Sequence, residues 1–121
     1  MRLTLRPHER VRRRPDFLEA YAQGRKHHGR FLTLFARETA APAARLGVSA
    51  TRKFGPAVTR SRAKRRAREL FRHHRLLPGV DLVLIPRRGF DSAAFPLLVF
   101  DYLAALRRLR VSLLPARDSR A

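Results

Sequence analysis

Residues 52–75 read Arg-Lys-Phe-Gly-Pro-Ala-Val-Thr-Arg-Ser-Arg-Ala-Lys-Arg-Arg-Ala-Arg-Glu-Leu-Phe-Arg-His-His-Arg, and between Arg60 and Arg75 this stretch carries eight fixed positive charges against one acid, Glu69. At about 100° per residue on a helix, Arg60, Lys64, Arg68, Arg72 and Arg75 rise along one side in steps of four or three. Arg62, Arg65, Arg66 and His73 cover the back. Like charges at these spacings repel each other, and amides at the start of a helix add partial positive charge near Arg60. Such a helix calls for a polyanion. Positive charge in the chain is nearly all arginine, with lysine only at 26, 53 and 64. The guanidinium fork grips phosphate bidentately and stacks on bases, which suits structured RNA. A biased genomic composition would produce the same arginine excess. Glu69 has basic residues both behind and ahead of it, so a local helix ion pair is the expected role.

Three aromatics form a second constellation. Phe17 and Tyr21 stand four apart, and Phe35 lies in an apolar run further on. On a basic surface such rings can stack the bases of a single strand, each stack contributing about 1–3 kcal/mol. Ordinary core packing is the competing reading of the same spacing. The histidines, at 8, 27, 28, 73 and 74, show no metal-ligand spacing with acids. Paired carboxylates, a nucleophile elbow and a phosphate-cradling glycine loop are all missing, and the scattered acids do not make a two-metal nuclease site. No catalytic and no metal-binding residue is therefore assigned.

The net charge is +19 over 121 residues, with an isoelectric point near 12.0. Self-repulsion of that size is unfavourable for an isolated compact domain and is relieved by nucleic acid. The length fits one domain over residues 1–121, and 45% apolar content supports a modest core. There is no cysteine, which excludes disulfides and thiolate metal sites. Residues 1–14 are basic without an apolar run, so no signal peptide is expected. The longest apolar candidate, 95–109, is interrupted by Asp101 and basic residues and falls short of a membrane span. A cytoplasmic protein without membrane association is expected.

The positioning elements follow from punctuation and periodicity. Residues 1–14 are expected to be loosely ordered. Asp16 caps a short helix closed by Gly24. Residues 30–37 and 45–53 alternate as strands and are expected to pair as a hairpin. Gly55-Pro56 opens a helix over 57–74 whose buried stripe is Ala63, Ala67, Leu70, Phe71 and His74. Residues 80–86 read as a central strand. Ser92 starts a last helix with Leu98, Tyr102, Ala105, Leu106 and Leu109 inward, and a frayed tail runs over 115–121. The order α-β-β-α-β-α predicts an α+β fold, a two-layer α/β sandwich.

The segment Arg52-Lys53-Phe54-Gly55-Pro56-Ala57-Val58-Thr59-Arg60-Ser61-Arg62-Ala63-Lys64-Arg65-Arg66-Ala67-Arg68-Glu69 closely resembles the signature of the bacterial ribonuclease P protein component. The likeness extends to Asp16-Phe17 through Gly24, to Leu46-Gly47-Val48-Ser49 and to the strand at 80–86, spanning residues 6–110. Ser61 stands where the family usually has asparagine, and Arg52 where lysine is usual. The resemblance implies a left-handed β-α-β crossover and kinship with a ribosomal-protein domain. It also implies a protein subunit of ribonuclease P whose RNA subunit uses Mg²⁺ to remove the 5′ leader of precursor tRNA. By that likeness Arg52, Lys53, Arg60, Arg62, Lys64, Arg65 and Arg68 contact ribonuclease P RNA, and Phe17, Tyr21 and Phe35 line the leader-binding cleft. The competing classes are a non-enzymatic ribosomal-type protein or RNA chaperone, a basic-region DNA binder, which would want flanking heptads, and a membrane-active helix, which would want a broader apolar stripe.

Overall fold

The computed structural model describes residues 5–115. After a 3-10 turn at Pro7–Glu9, the elements are α1 (Arg14–Gln23), β1 (Arg25–His28), β2 (Leu32–Glu38), β3 (Arg45–Val48), α2 (Ala57–His73), β4 (Val80–Pro86) and α3 (Phe95–Arg108). They make a mixed α+β fold. The strands form one sheet in the order β1-β2-β4-β3, with β1 and β4 antiparallel to β2, and β3 parallel to β4.

Two expectations change here. The strands at 32–38 and 45–48 do not form a hairpin: β4 lies between them, pairing Phe35 with Val83 on one side and Gly47 with Val83 on the other. The cause is the near-continuous apolar run of β4, which suits a strand covered on both faces, and α2 is long enough to bring it back parallel to β3. The strand β1 is additional. Arg25-Lys26-His27-His28 has no apolar alternation to announce it, and it exists because its backbone pairs with β2 from Ala36 to Thr33. Smaller shifts occur at the ends. The helix α1 begins at Arg14, β3 stops at Val48, and α3 begins at Phe95 because the amides of Ser92 and Ala93 are already spent on the Gly89 carbonyl.

The sheet's two faces are covered differently. Leu32, Leu34 and Ala36 of β2 and Leu82 and Leu84 of β4 pack against α2 and α3, where Ala63, Ala67, Leu70, Phe71, Leu98, Tyr102, Ala105, Leu106 and Leu109 are buried as the periodicity predicts, whereas His74 is half-buried just past the end of α2. The alternate residues Phe35, Val83 and Ile85 face the other way and meet Ala20, Phe17 and Tyr21 of α1. The β1–β2 turn is pinned to α3 by the Asp101 carboxylate, which accepts from the Phe31 amide at 2.8 Å and the Arg30 amide at 3.2 Å. A Cβ at Gly29 would lie 2.7 Å from that carboxylate, so a larger residue there would push Asp101 off these amides.

The N-terminal segment departs from expectation as well. Its described part, from residue 5 onward, is a strap rather than a loose arm: Leu5 and Val11 are buried, and the Val11 amide donates to the Leu46 carbonyl at 2.9 Å along the free edge of β3. At the other end, Leu114 returns its amide to the Arg75 carbonyl at 2.7 Å. Residues 116–121 of the expected tail lie outside the described residues.

Candidate nucleic-acid interface

The helix α2 delivers its charges to two places. Arg62 and Arg65 are exposed to solvent, as are Arg52 and Lys53 on the turn before the helix. Arg60, Lys64 and Arg68 are half-buried at the seam with the rest of the molecule. Burial, with the nearby charge of Arg10, holds the Arg68 guanidinium below the usual arginine range. Arg66 plays a different part. It donates to the Phe90 carbonyl at 2.9 Å and lies 5.8 Å from the Phe95 ring centroid, tying α2 to the segment before α3. Glu69 makes no ion pair with any described residue, so the expected local pair does not form. No group of three or more His, Asp or Glu side chains gathers in a metal-like cluster among the described residues.

The three aromatics meet on the opposite face of the sheet. Phe17 and Tyr21 are 6.4 Å apart between ring centroids, and the Tyr21 ring stands edge-on to Phe35 at 5.0 Å. Phe35 is only 9% exposed and carries Lys26 above its ring at 5.7 Å, so it supports Tyr21 from beneath. Phe17 lies against Gly47 of β3: a Cβ there would come within 2.8 Å of the ring. Glycine at 47 is what lets the aromatic side of α1 approach the sheet.

Between α1, β3 and α2 lies an open cavity of about 450 Å³, walled by Phe17, Tyr21, Ser49, Lys64, Arg12 and Arg14. Lys64 thus belongs to the charged helix and to the aromatic cleft at once. A second opening of about 540 Å³ begins at the same Ser49 and continues past Ile85 to Lys53 and Arg88. Aromatic rings and cations line both openings, a combination able to hold a single nucleic-acid strand by base stacking and phosphate contact.

Sequence reasoning missed Arg12, Arg14 and Arg88 as cleft residues. The run of basic residues at 10–14 was visible as charge, but no periodicity tied it to a place. It also missed the anchor of this face, a buried ion pair. Arg45 grips Asp81 through two hydrogen bonds of 2.8 and 2.6 Å, with Arg37 at 3.9 Å from Asp81 and Asp16 of α1 at 3.7 Å from Arg45. The bond to Asp81 raises the Arg45 guanidinium further above its already high range, against the effect of burial. This network fixes α1 over β3 and β4 and so sets the width of the cleft.

A mixed sheet with a parallel crossover through a cationic helix, and an aromatic cleft opening beside that helix, defines a small basic α+β protein fitted to a polyanionic partner. The chain belongs to the ribonuclease P protein component family: the family model described as Ribonuclease P matches residues 5–110. A relative in Oleidesulfovibrio alaskensis, the Ribonuclease P protein component, is 40% identical over 110 residues, covering 86% of this chain and 88% of the relative. The Thermotoga maritima protein of the same name is 38% identical over 86 residues, covering 69% and 74%. Among solved structures, the RNase P protein from Thermotoga maritima superposes with a TM-score of 0.73 at 33% identity, over 83% of this chain and 96% of that one. The Staphylococcus aureus RNase P protein gives 0.75 at 25% identity, over 86% and 97%.

Proposed function

We propose that this chain works in the cytoplasm as the protein subunit of ribonuclease P, assisting removal of the 5′ leader from precursor tRNA. Arg52, Lys53, Arg60, Arg62, Lys64, Arg65 and Arg68 engage ribonuclease P RNA. Phe17 and Tyr21, backed by Phe35, hold the leader in the cleft. Hydrolysis is carried out by the RNA with Mg²⁺, and the protein contributes binding energy and orientation rather than reacting groups. One observation carries this reading: Lys64 of the cationic helix and the rings of Phe17 and Tyr21 wall the same cavity. A single protein surface can therefore bind a folded RNA on the helix while guiding a flexible strand past the rings.

The test is cleavage of a precursor tRNA by the cognate ribonuclease P RNA at low Mg²⁺, with and without the protein. Cleavage at the mature 5′ end that depends on the protein is expected. Tight, salt-sensitive RNA binding with no gain in cleavage would replace this reading with that of a ribosomal-type protein or RNA chaperone.

A further inference from the structure

The outer side of α3 has no part in the surfaces assigned above. Its inner side is buried on the sheet, and the aromatic cleft lies on the opposite, α1 side of that sheet. At about 100° per residue, Pro96, Leu97, Phe100, Ala104, Arg107 and Arg108 fall together on the side turned away from the sheet. Phe100 is 76% exposed, the highest value for a large apolar side chain among the described residues, and Leu97 is 46% exposed. Pro96 is exposed beside them and Ala104 is half-buried. Together they form a contiguous apolar stripe rather than a scattered surface residue.

The charges bordering the stripe define its partner. Arg107 and Arg108 are exposed one turn beyond Ala104 and pair with no described acid. Arg30 is exposed at the β1–β2 turn beside Asp101. Asp101 is the one acid of α3, and its two oxygens are taken by the amides of Arg30 and Phe31. An apolar centre with an arginine rim is the anatomy of a protein–protein contact, where aromatic and arginine side chains are enriched. RNA is poorly matched to it. From Pro96 to Ala104, about 12 Å of helix, α3 offers no cation to meet a phosphate. A second copy of this chain would bring the same arginines against these, at +19 per molecule.

We propose that the outer face of α3 docks an acidic amphipathic helix of another protein. The partner's apolar ridge lies on Leu97 and Phe100, and its carboxylates, one turn further on, meet Arg107 and Arg108. This goes beyond the ribonuclease P function and does not depend on it.

The probe is a fluorescent synthetic helix with leucines at i, i+3, i+4 and i+7 followed by glutamates. Its control has the same net charge with the leucines replaced by glutamine. Binding to the full chain is read by anisotropy at physiological ionic strength, where surface charges are screened beyond about 8 Å. Phe100→Ala is expected to weaken the leucine helix about tenfold, the scale of a lost aromatic anchor. Arg107→Gln with Arg108→Gln weakens it about fivefold, and Arg62→Gln, a charge removed from exposed α2, leaves it within about twofold. Equal binding of the two helices, or equal losses in Phe100→Ala and Arg62→Gln, would reduce the effect to net charge and overturn the docking face. Should Phe100→Ala fold poorly, the paired arginine variant decides against Arg62→Gln. A photo-crosslinking residue in place of Phe100 then reports the occupant in cells. A link to a protein segment with that leucine and carboxylate pattern, lost when Arg107 and Arg108 are changed to glutamate, supports the proposal. A link to RNA, a link to a second copy of this chain, or no link overturns it. Phe100→Ala should stimulate precursor tRNA cleavage as wild type does. A loss confined to the variant would return this face to the RNA machinery and overturn the proposal, whereas failure of both proteins strikes only the function proposed above.

Discussion

At the scale of single residues, the cleft and its anchor respond to different changes. Phe17 and Tyr21 offer rings to the cavity while Phe35 lies beneath them. Replacing both by leucine retains apolar bulk and removes stacking. Binding of tRNA carrying a leader should fall by about 1–3 kcal/mol per lost stack, with mature tRNA nearly unaffected. Equal losses for both substrates, measured by equilibrium binding to the ribonucleoprotein, would instead indicate core damage. Asp81 is 1% exposed and holds Arg45 by two bonds. Asp81→Asn removes the nearer of the two carboxylates that face Arg45 and should cost about 3 kcal/mol, read from urea unfolding. A loss confined to a few tenths would show that Asp16 alone suffices to hold Arg45.

At the scale of elements, α2 and the strap are tested separately. Alanine at Arg60, Lys64 and Arg68 together should weaken association with ribonuclease P RNA and reduce the slope of log affinity against log salt by about 2 to 3, since each phosphate contact contributes about 0.7–0.9. A slope equal to the wild type would take these side chains out of the interface. The strap carries a pH dependence through Glu9. Burial pushes its carboxyl up, but the Arg6 amide and the hydrogen bond and charge of Arg75 outweigh burial and hold it below the usual glutamate range. A group lowered in the folded state stabilises that state above its unfolded value and loses the contribution as pH falls through the folded one. Acidification below the ordinary glutamate range should therefore loosen residues 5–12. Hydrogen exchange at the Val11 amide, which bonds Leu46, is expected to accelerate beyond the intrinsic trend in wild type and to show no such transition in Glu9→Gln.

At the scale of the whole molecule, +19 charges on 121 residues oppose compactness. The free protein should melt at a higher temperature as NaCl is raised, because screening relieves repulsion. A gain of about 1 kcal/mol would move the midpoint by about 4 °C for a chain of this size. A melting temperature indifferent to salt would mean that the ion pairs of Asp81, Glu9 and Asp16 already compensate locally. No described helix is long and apolar enough to cross a membrane.

The sequence by itself determined what depends on local period and local charge. The stripe Ala63, Ala67, Leu70 and Phe71 had to be one buried face, the apolar run at 80–86 had to be an interior strand, and α2 had to carry its charge on the remaining faces. The family signature is likewise a local string of side chains. Tertiary structure alone decided what depends on backbone pairing across distance. The strand β1 has no side-chain pattern of its own, and β4 enters between β2 and β3 because that central place covers both of its apolar faces. The assembled sheet brings Arg12, Arg14 and Arg88 to the groove, and the 66-residue separation of Glu9 and Arg75 is bridged by the strap lying along β3. A spacing rule reaches one turn of helix or one step of strand, and these contacts lie beyond it.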